Sequence, residues 1–234
     1  MPRSYALALT LIAALSLPAP HPAAARPTAG AAAPKPATGP KPRLVADSFT
    51  GLSFRSIGPA LVSGRIVDLA VVPNERSTWY VAAAYGGVWK TTNAGTTWSP
   101  IFDTQGTSSI GCVAVDPRHP LTVWVGTGEN NSQRSVGWGD GVYRSDDGGR
   151  TWTNMGLKAS EHVGQIAIDP RNSNVVFAAA QGPLWAAGGD RGLFKTSDGG
   201  RTWKSVLKVD EWTGANEVRF DPHDPDVMYA TTYQ

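Results

Sequence analysis

Three twelve-residue segments of this chain align without a gap, and their spacing constrains the fold more than any other feature. They are Gly87-Val-Trp-Lys-Thr-Thr-Asn-Ala-Gly-Thr-Thr-Trp98, Gly141-Val-Tyr-Arg-Ser-Asp-Asp-Gly-Gly-Arg-Thr-Trp152 and Gly192-Leu-Phe-Lys-Thr-Ser-Asp-Gly-Gly-Arg-Thr-Trp203. Each is preceded by an apolar run ending in a proline: Pro73, Pro117 and Pro170, with a fourth run ending at Pro222. A second β-branched and aromatic run follows each proline. A period of about 50 residues built from short strand-like runs is the signature of a propeller blade. The expected fold is therefore an all-β propeller with four-stranded antiparallel blades. Three blades are expected in full (about 54–104, 105–157 and 158–209), with the start of a fourth at 210–234. Strands are expected at about 65–72, 78–84, 87–91 and 97–102 in the first blade and at matching positions later.

The recurring box, Ser/Thr-x-Asp/Asn-x-Gly-x-Thr-Trp, is expected at the hairpin between the third and fourth strands of each blade. Its members are Thr91, Asn93, Gly95 and Trp98; Ser145, Asp147, Gly149 and Trp152; and Thr196, Asp198, Gly200 and Trp203. Short polar side chains such as Asp147 and Ser145 accept bonds from backbone N–H groups of their own turn. The glycines suit positive φ, and the indoles wedge between sheets. These residues are therefore read as structural rather than as catalytic acids or metal ligands. Asp116, Asp169 and Asp221, each before a proline, are read as turn initiators.

The boxes resemble the Asp-box (BNR) repeats of sialidases, of the xyloglucanase family of glycoside hydrolases and of the sortilin N-terminal domain. The form here is most similar to the sortilin-like and xyloglucanase-like groups. The opening Phe54-Arg-Ser-Ile-Gly-Pro-Ala with Ser63-Gly-Arg-Ile66 resembles large exported bacterial proteins labelled glycosyl hydrolases. The resemblance implies a fold more firmly than an activity. In xyloglucanases a Thr-Asp-Ile-Gly-Gly-Ala-Tyr-Arg stretch carries the catalytic base. The similar stretch here is Ala83-Ala84-Tyr85-Gly86-Gly87-Val88-Trp89-Lys90, which puts Ala84 at the position of that base.

Outside the repeats, residues 1–25 read as an export signal. Arg3 precedes an apolar run over Tyr5–Leu17, and Ala23-Ala24-Ala25 forms a small-residue cleavage pattern. Residues 26–43, rich in Pro and Ala, read as a disordered linker, leaving 44–234 as a partial propeller. No membrane span is expected after cleavage, and the expected location is secreted or periplasmic. A net charge of +2 gives no reason to expect nucleic acid. Cys112 has no partner for an intrachain disulfide, so a buried thiol is expected. No cofactor or metal motif is present. An open set of blades exposes apolar faces, so further blades of a longer chain, or a partner, are expected to close the ring.

A ligand face is expected at the end opposite the boxes, on the loops between second and third strands and between blades. The candidate residues there are Glu129, Asn130, Arg134, Trp138, Trp185, His162 and Trp212. Indole platforms beside hydrogen-bonding groups suit a glycan, peptide or protein ligand. The alternative for the three indoles is that they cover the loop bases. Weak catalytic candidates are Glu129, Asp68 and Glu211, for a glycoside hydrolase whose other groups lie in further blades. Asp68, Cys112, Gln165 and Glu217 share one strand register and are expected to line the central channel. Asn130-Asn131-Ser132 fits a glycosylation acceptor, relevant only in a eukaryotic secretory pathway.

Overall fold

The computed structural model describes residues 50–51, 65–130 and 136–234. The export signal, the linker, most of the opening motif, Arg134 and two of the three acceptor residues lie outside those bounds. The fold is a β-propeller, and the residues from 65 onward form four sheets. Strands β1 (Ile66–Val71), β2 (Trp79–Ala83), β3 (Gly87–Thr91) and β4 (Ser99–Pro100) pair in sequence order as the first blade. The second blade is β5 (Ile110–Val115), β6 (Val123–Thr127), β7 (Val142–Ser145) and β8 (Thr153–Asn154). The third is β9 (Val163–Ile168), β10 (Val176–Ala180), β11 (Gly192–Thr196) and β12 (Lys204–Leu207). Two further strands, β13 (Gly214–Phe220) and β14 (Met228–Tyr233), pair as a fourth sheet. All pairs are antiparallel meanders, as the repeat requires. Among the described residues no helix is long and apolar enough to cross a membrane.

The blades stick to one another because their strands are apolar on both faces. On β6, Val123 and Val125 enter a cluster with Tyr80, Val88 and Phe102 of the first blade. Trp124, between them in sequence and so on the opposite face, packs with Val163, Ile166 and Val176 of the third. A third cluster joins Phe177, Ala179 and Leu193 to Ala215 and Val218 of the fourth sheet. A strand buried on both faces reads as a continuous apolar run rather than an alternating one.

The outermost strands are shorter than the sequence suggests. The expected 97–102 and 151–155 reduce to two-residue ladders at β4 and β8. Beyond them pairing continues through single bonds, Ile101 N to Val88 O (2.9 Å) and Met155 N to Val142 O (2.7 Å). An outermost strand has one neighbour only, and here it yields to the box indoles. Trp152 donates to Ile101 O of the preceding blade (2.7 Å) and Trp203 to Met155 O (2.8 Å).

The boxes close on themselves. Asp147 accepts from Arg150 N and Thr151 N, each at 2.9 Å, and from Thr151 Oγ1 at 2.7 Å. Asp198 does the same with Thr202. Ser145 Oγ and Thr196 Oγ1 accept from Gly149 N and Gly200 N. Asn93 takes the aspartate's part through Oδ1, accepting from Thr97 N at 2.9 Å. These bonds hold the Asp147 and Asp198 carboxyls below the ordinary carboxylate range, led by the threonine hydroxyl in each case.

Candidate functional site

The antiparallel order puts the box hairpins and the turns between first and second strands at one end of the blades. The loops after β2, β6 and β10 and those joining blades lie at the other. At that end β6 leaves the sheet through Gly128, at φ +85°. Gly128 N donates to Ser109 O (2.8 Å) and Glu129 N to Ser109 Oγ (3.0 Å). Ser109 Oγ in turn donates to Gly137 O (2.8 Å), closing the loop on itself. The Glu129 carboxylate is fully buried and forms an ion pair with Arg65, at the start of the first blade. His162 Nδ1 lies 2.6 Å from Glu129 O, and Asn130 Nδ2 donates to Asn216 Oδ1 (3.1 Å). Glu129, Asn130 and His162 are thus brought together, and Arg65, Ser109 and Asn216 join them from three different blades. Reading single positions missed those three, because each is an ordinary polar residue in or next to a strand.

A carbonyl can only accept, so His162 carries its proton on Nδ1. Its Nε2 is buried with no hydrogen-bond partner among the described residues. Burial pushes the imidazole down to about 4 from its usual 6.5. On acidification the unfolded chain therefore takes up this proton before the folded one does. The stability contribution is complete above pH 6.5 and is lost as pH falls through about 4. The expected loss is of order 2 kcal/mol. A His162→Gln variant should lack this slope between pH 6.5 and 4 in melting experiments. Identical pH profiles for the two proteins would contradict it.

The turn carrying His162 is strained. Leu157 (φ 54°) and Glu161 (φ 55°) flank a single 3-10 turn over Lys158–Ser160, and both occupy the left-handed half of backbone space. Packing from both sides holds them there. Glu161 O accepts from Gly139 N (2.7 Å), and Gln181 N donates to His162 O (2.9 Å).

The third-blade loop, residues 181–191, is organised by Arg191. This side chain is buried, and all five of its N–H groups meet backbone carbonyls. Nε donates to Gly188 O (3.2 Å), Nη1 to Gln181 O (2.8 Å) and Trp212 O (2.6 Å), and Nη2 to Pro183 O (2.5 Å) and Ala186 O (2.9 Å). One guanidinium thereby ties the loop bearing Trp185 to the loop bearing Trp212. Trp138 is anchored separately, its carbonyl accepting from Thr107 Oγ1 (2.8 Å). The backbones are held but the indoles are open: Trp185 is 76% exposed, Trp138 66% and Trp212 49%. All three residues present surface to solvent, with Trp212 the most covered of them.

The weak catalytic candidates do not share a set of partners. Asp68 Oδ2 accepts from Val113 N (3.0 Å) and Oδ1 from Leu69 N (2.8 Å), so this carboxylate bridges two inner strands. Glu211 is exposed, and its carbonyl accepts from Gly188 N (2.8 Å). Ala84, at the position of the xyloglucanase base, is fully buried and bonded through its backbone to Arg65 and Ile110. Cys112 is buried, as expected of a lone thiol, and so does not belong to the expected channel lining. It shares the register of Asp68 and Gln165 but is buried between the second and third blades, and burial pushes its thiol up. At the opposite end, Asp116, His119 and Ser173 come together without forming a relay. Asp116 Oδ2 (3.5 Å) and Ser173 Oγ (2.8 Å) both face the same nitrogen, Nδ1. A proton relay needs them on opposite nitrogens. Among the described residues no group of three or more His, Cys, Asp or Glu could hold a metal ion.

Against known proteins, a model of the sortilin/Vps10 family, described as "Sortilin, neurotensin receptor 3", matches residues 140–234. The xyloglucanase of Hypocrea jecorina is 25% identical over 194 residues, covering 77% of this chain and 22% of the relative. Xyloglucanase Xgh74A of Acetivibrio thermocellus is 26% identical over 185 residues, covering 69% of this chain and 20% of the relative. An ancestral GH74 enzyme superposes with a TM-score of 0.58 at 24% identity, over 71% of this chain and 22% of that one. The GH74 enzyme of Niastella koreensis gives 0.54 at 23% identity, over 68% of this chain and 24% of that one. The likeness to the solved structures is one of fold. The class that the sheets define is a β-propeller, and the matches make it similar over part of its length to sortilin-family and xyloglucanase propellers. Within that class, the chain spans about a fifth of the length of these curated xyloglucanases.

Proposed function

We propose that this protein is an exported module of Asp-box repeats that binds a glycan chain across its loop face, with Trp138, Trp185 and Trp212 as stacking platforms. The observation that carries this reading is that three indoles stand open to solvent on loops whose backbones are fixed. An indole presents a flat apolar face to the C–H face of a sugar ring, and polar groups beside it orient the hydroxyls. Fixed loops lower the ordering cost of binding. The similarity to xyloglucanases favours a β-glucan over a peptide.

Titration calorimetry with soluble xyloglucan tests this. Trp185→Ala and Trp138→Ala should each weaken binding about tenfold. Because both rings are exposed, melting temperatures should not change. Wild-type affinity in both variants would sink the proposal.

A second reading is hydrolysis, favoured by the buried Glu129 carboxylate and by the activity named for the curated relatives. Release of reducing ends from xyloglucan, lost in Glu129→Gln, would select it. Ala84 speaks against the xyloglucanase route, because a methyl group takes no proton.

A further inference from the structure

The seam between adjacent blades opens into a groove at the box end, away from the loop face. Between the first and second blades the groove is about 410 Å³ and runs from Lys90 on β3, over Pro100 and Ile101, to Arg150 of the next box. Between the second and third blades it is about 290 Å³ and runs from Arg144 on β7, over Thr153 and Met155, to Arg201. The two are built alike. Half-buried Ile101 and Met155 form the floors. A Cβ on Gly149 would stand 2.5 Å from Ile101 Cδ1, and one on Gly200 would stand 3.1 Å from Met155 Cε. The box glycines thus let each floor side chain lie close beneath the box.

Each groove has a base from either blade. The strand base is engaged in the seam: Lys90 lies over the Tyr80 ring (5.2 Å to the centroid) and donates to Gly148 O (2.9 Å). Arg144 donates to Gly199 O (2.9 Å) and pairs with Asp146 (2.7 Å). The box base is not engaged in this way. Arg150 makes one side-chain bond, from Nε to Asp147 O (3.2 Å), and Arg201 makes none among the described residues. Both are exposed. Each groove counts two bases and one carboxylate, Asp103 in the first and Asp146 in the second, which leaves one positive charge over. In the first groove burial pushes the Lys90 ammonium down, and the Arg150 charge adds to this while Glu75 and Asp147 oppose it.

We propose that the two grooves bind the anionic groups of an acidic polysaccharide, one carboxylate or sulfate on each of Arg150 and Arg201, with its sugar ring over the Ile101 or Met155 floor. A guanidinium with both Nη groups open takes two oxygens of such an anion in one plane. The groove volumes are those of small-ligand clefts. Their repeat from one blade to the next suits a polymer whose charge recurs along its chain, because a second contact on the same chain is made at high effective concentration. The site lies at the other end of the blades from Trp138, Trp185 and Trp212 and stands independently of the loop-face reading.

The test is binding of the whole chain to polygalacturonate and to dextran sulfate at about 0.15 M salt, which screens loose attraction, with neutral dextran as the reference. At least one acidic polymer should bind tenfold more tightly than dextran, and the tighter of the two identifies the anion. Arg150→Gln and Arg201→Gln should each weaken it about threefold and together at least tenfold. Melting temperatures should not change, nor should any binding of xyloglucan. Lys158→Gln with Lys208→Gln, two exposed bases at the loop-face end, removes the same charge and should cost less than twofold. An equal loss in that control pair would overturn the proposal, since attraction would then follow net charge. So would full affinity in the double arginine variant, no preference over dextran, or duplex DNA bound as tightly as the polysaccharide.

Discussion

Replacing Arg191 by alanine is expected to cost about 3–4 kcal/mol of stability and to release the third-blade loop. A buried guanidinium bonded to five carbonyls is an unusual arrangement, because no carboxylate accepts from it. Removing it leaves several carbonyls at the base of the loop with neither protein nor bulk water to satisfy them. A charge-assisted bond is worth about 1.5–3 kcal/mol, but the five are not additive, since the loop relaxes and water enters. The total is therefore set near that of other disrupted buried networks. Lysine should rescue little. An ammonium has three donors on one atom and cannot span carbonyls of residues 181, 183, 186, 188 and 212. Denaturant unfolding with hydrogen exchange over 181–191 and 208–214 checks both parts. The loop tied down in this way carries Trp185 and touches that of Trp212, so glycan affinity should fall with it. A variant within 0.5 kcal/mol of wild type, with loop exchange unchanged, would show that the clamp is incidental.

Gly128→Ala is expected to be of similar size, about 3–5 kcal/mol, for a different reason. Two costs coincide at this residue. Its φ of +85° is one that L side chains rarely adopt. A Cβ there would also overlap the carbonyl oxygen of Glu161, which belongs to the backbone of the strained turn and has no rotamer to give. Relief requires moving the Glu161–His162 turn, and with it the contact from His162 Nδ1 to Glu129 O. The variant should therefore lose the acid-dependent slope assigned to His162 as well as stability. Gly188→Ala is a fitting control, since it too has positive φ (85°) but nothing within 4 Å of the added carbon. If both glycine variants melt alike, backbone conformation alone accounts for the loss and the overlap does not matter.

The repeat itself made the architecture legible. Asp147, Thr151 and Gly149 lie within one turn of each other, so the bonds they make are local and follow from residue type and spacing. Strand existence was readable for the same reason, because a run such as Val123-Trp-Val125 can be apolar at successive positions only if it is buried on both faces. Strand ends were not readable on the outer edge, where β4 and β8 depend on an indole from the next blade. Cys112 is the buried thiol the sequence led one to expect, but not part of the channel lining. Its register was right, but register along a strand says nothing of which neighbouring blade closes over the side chain.

What the chain determined alone is what depends on near neighbours: the blade period, the hairpin boxes and the loops long enough to carry a ligand face. The tertiary structure decided everything that needs groups far apart in the chain to meet. Arg65 finds Glu129 across 64 positions, Asn130 finds Asn216 across 86, and Arg191 gathers carbonyls from two loops. Such pairings are set by how blades stack. Stacking is driven by burial of apolar area, which is non-directional, so it leaves little mark on the identity of any one polar residue.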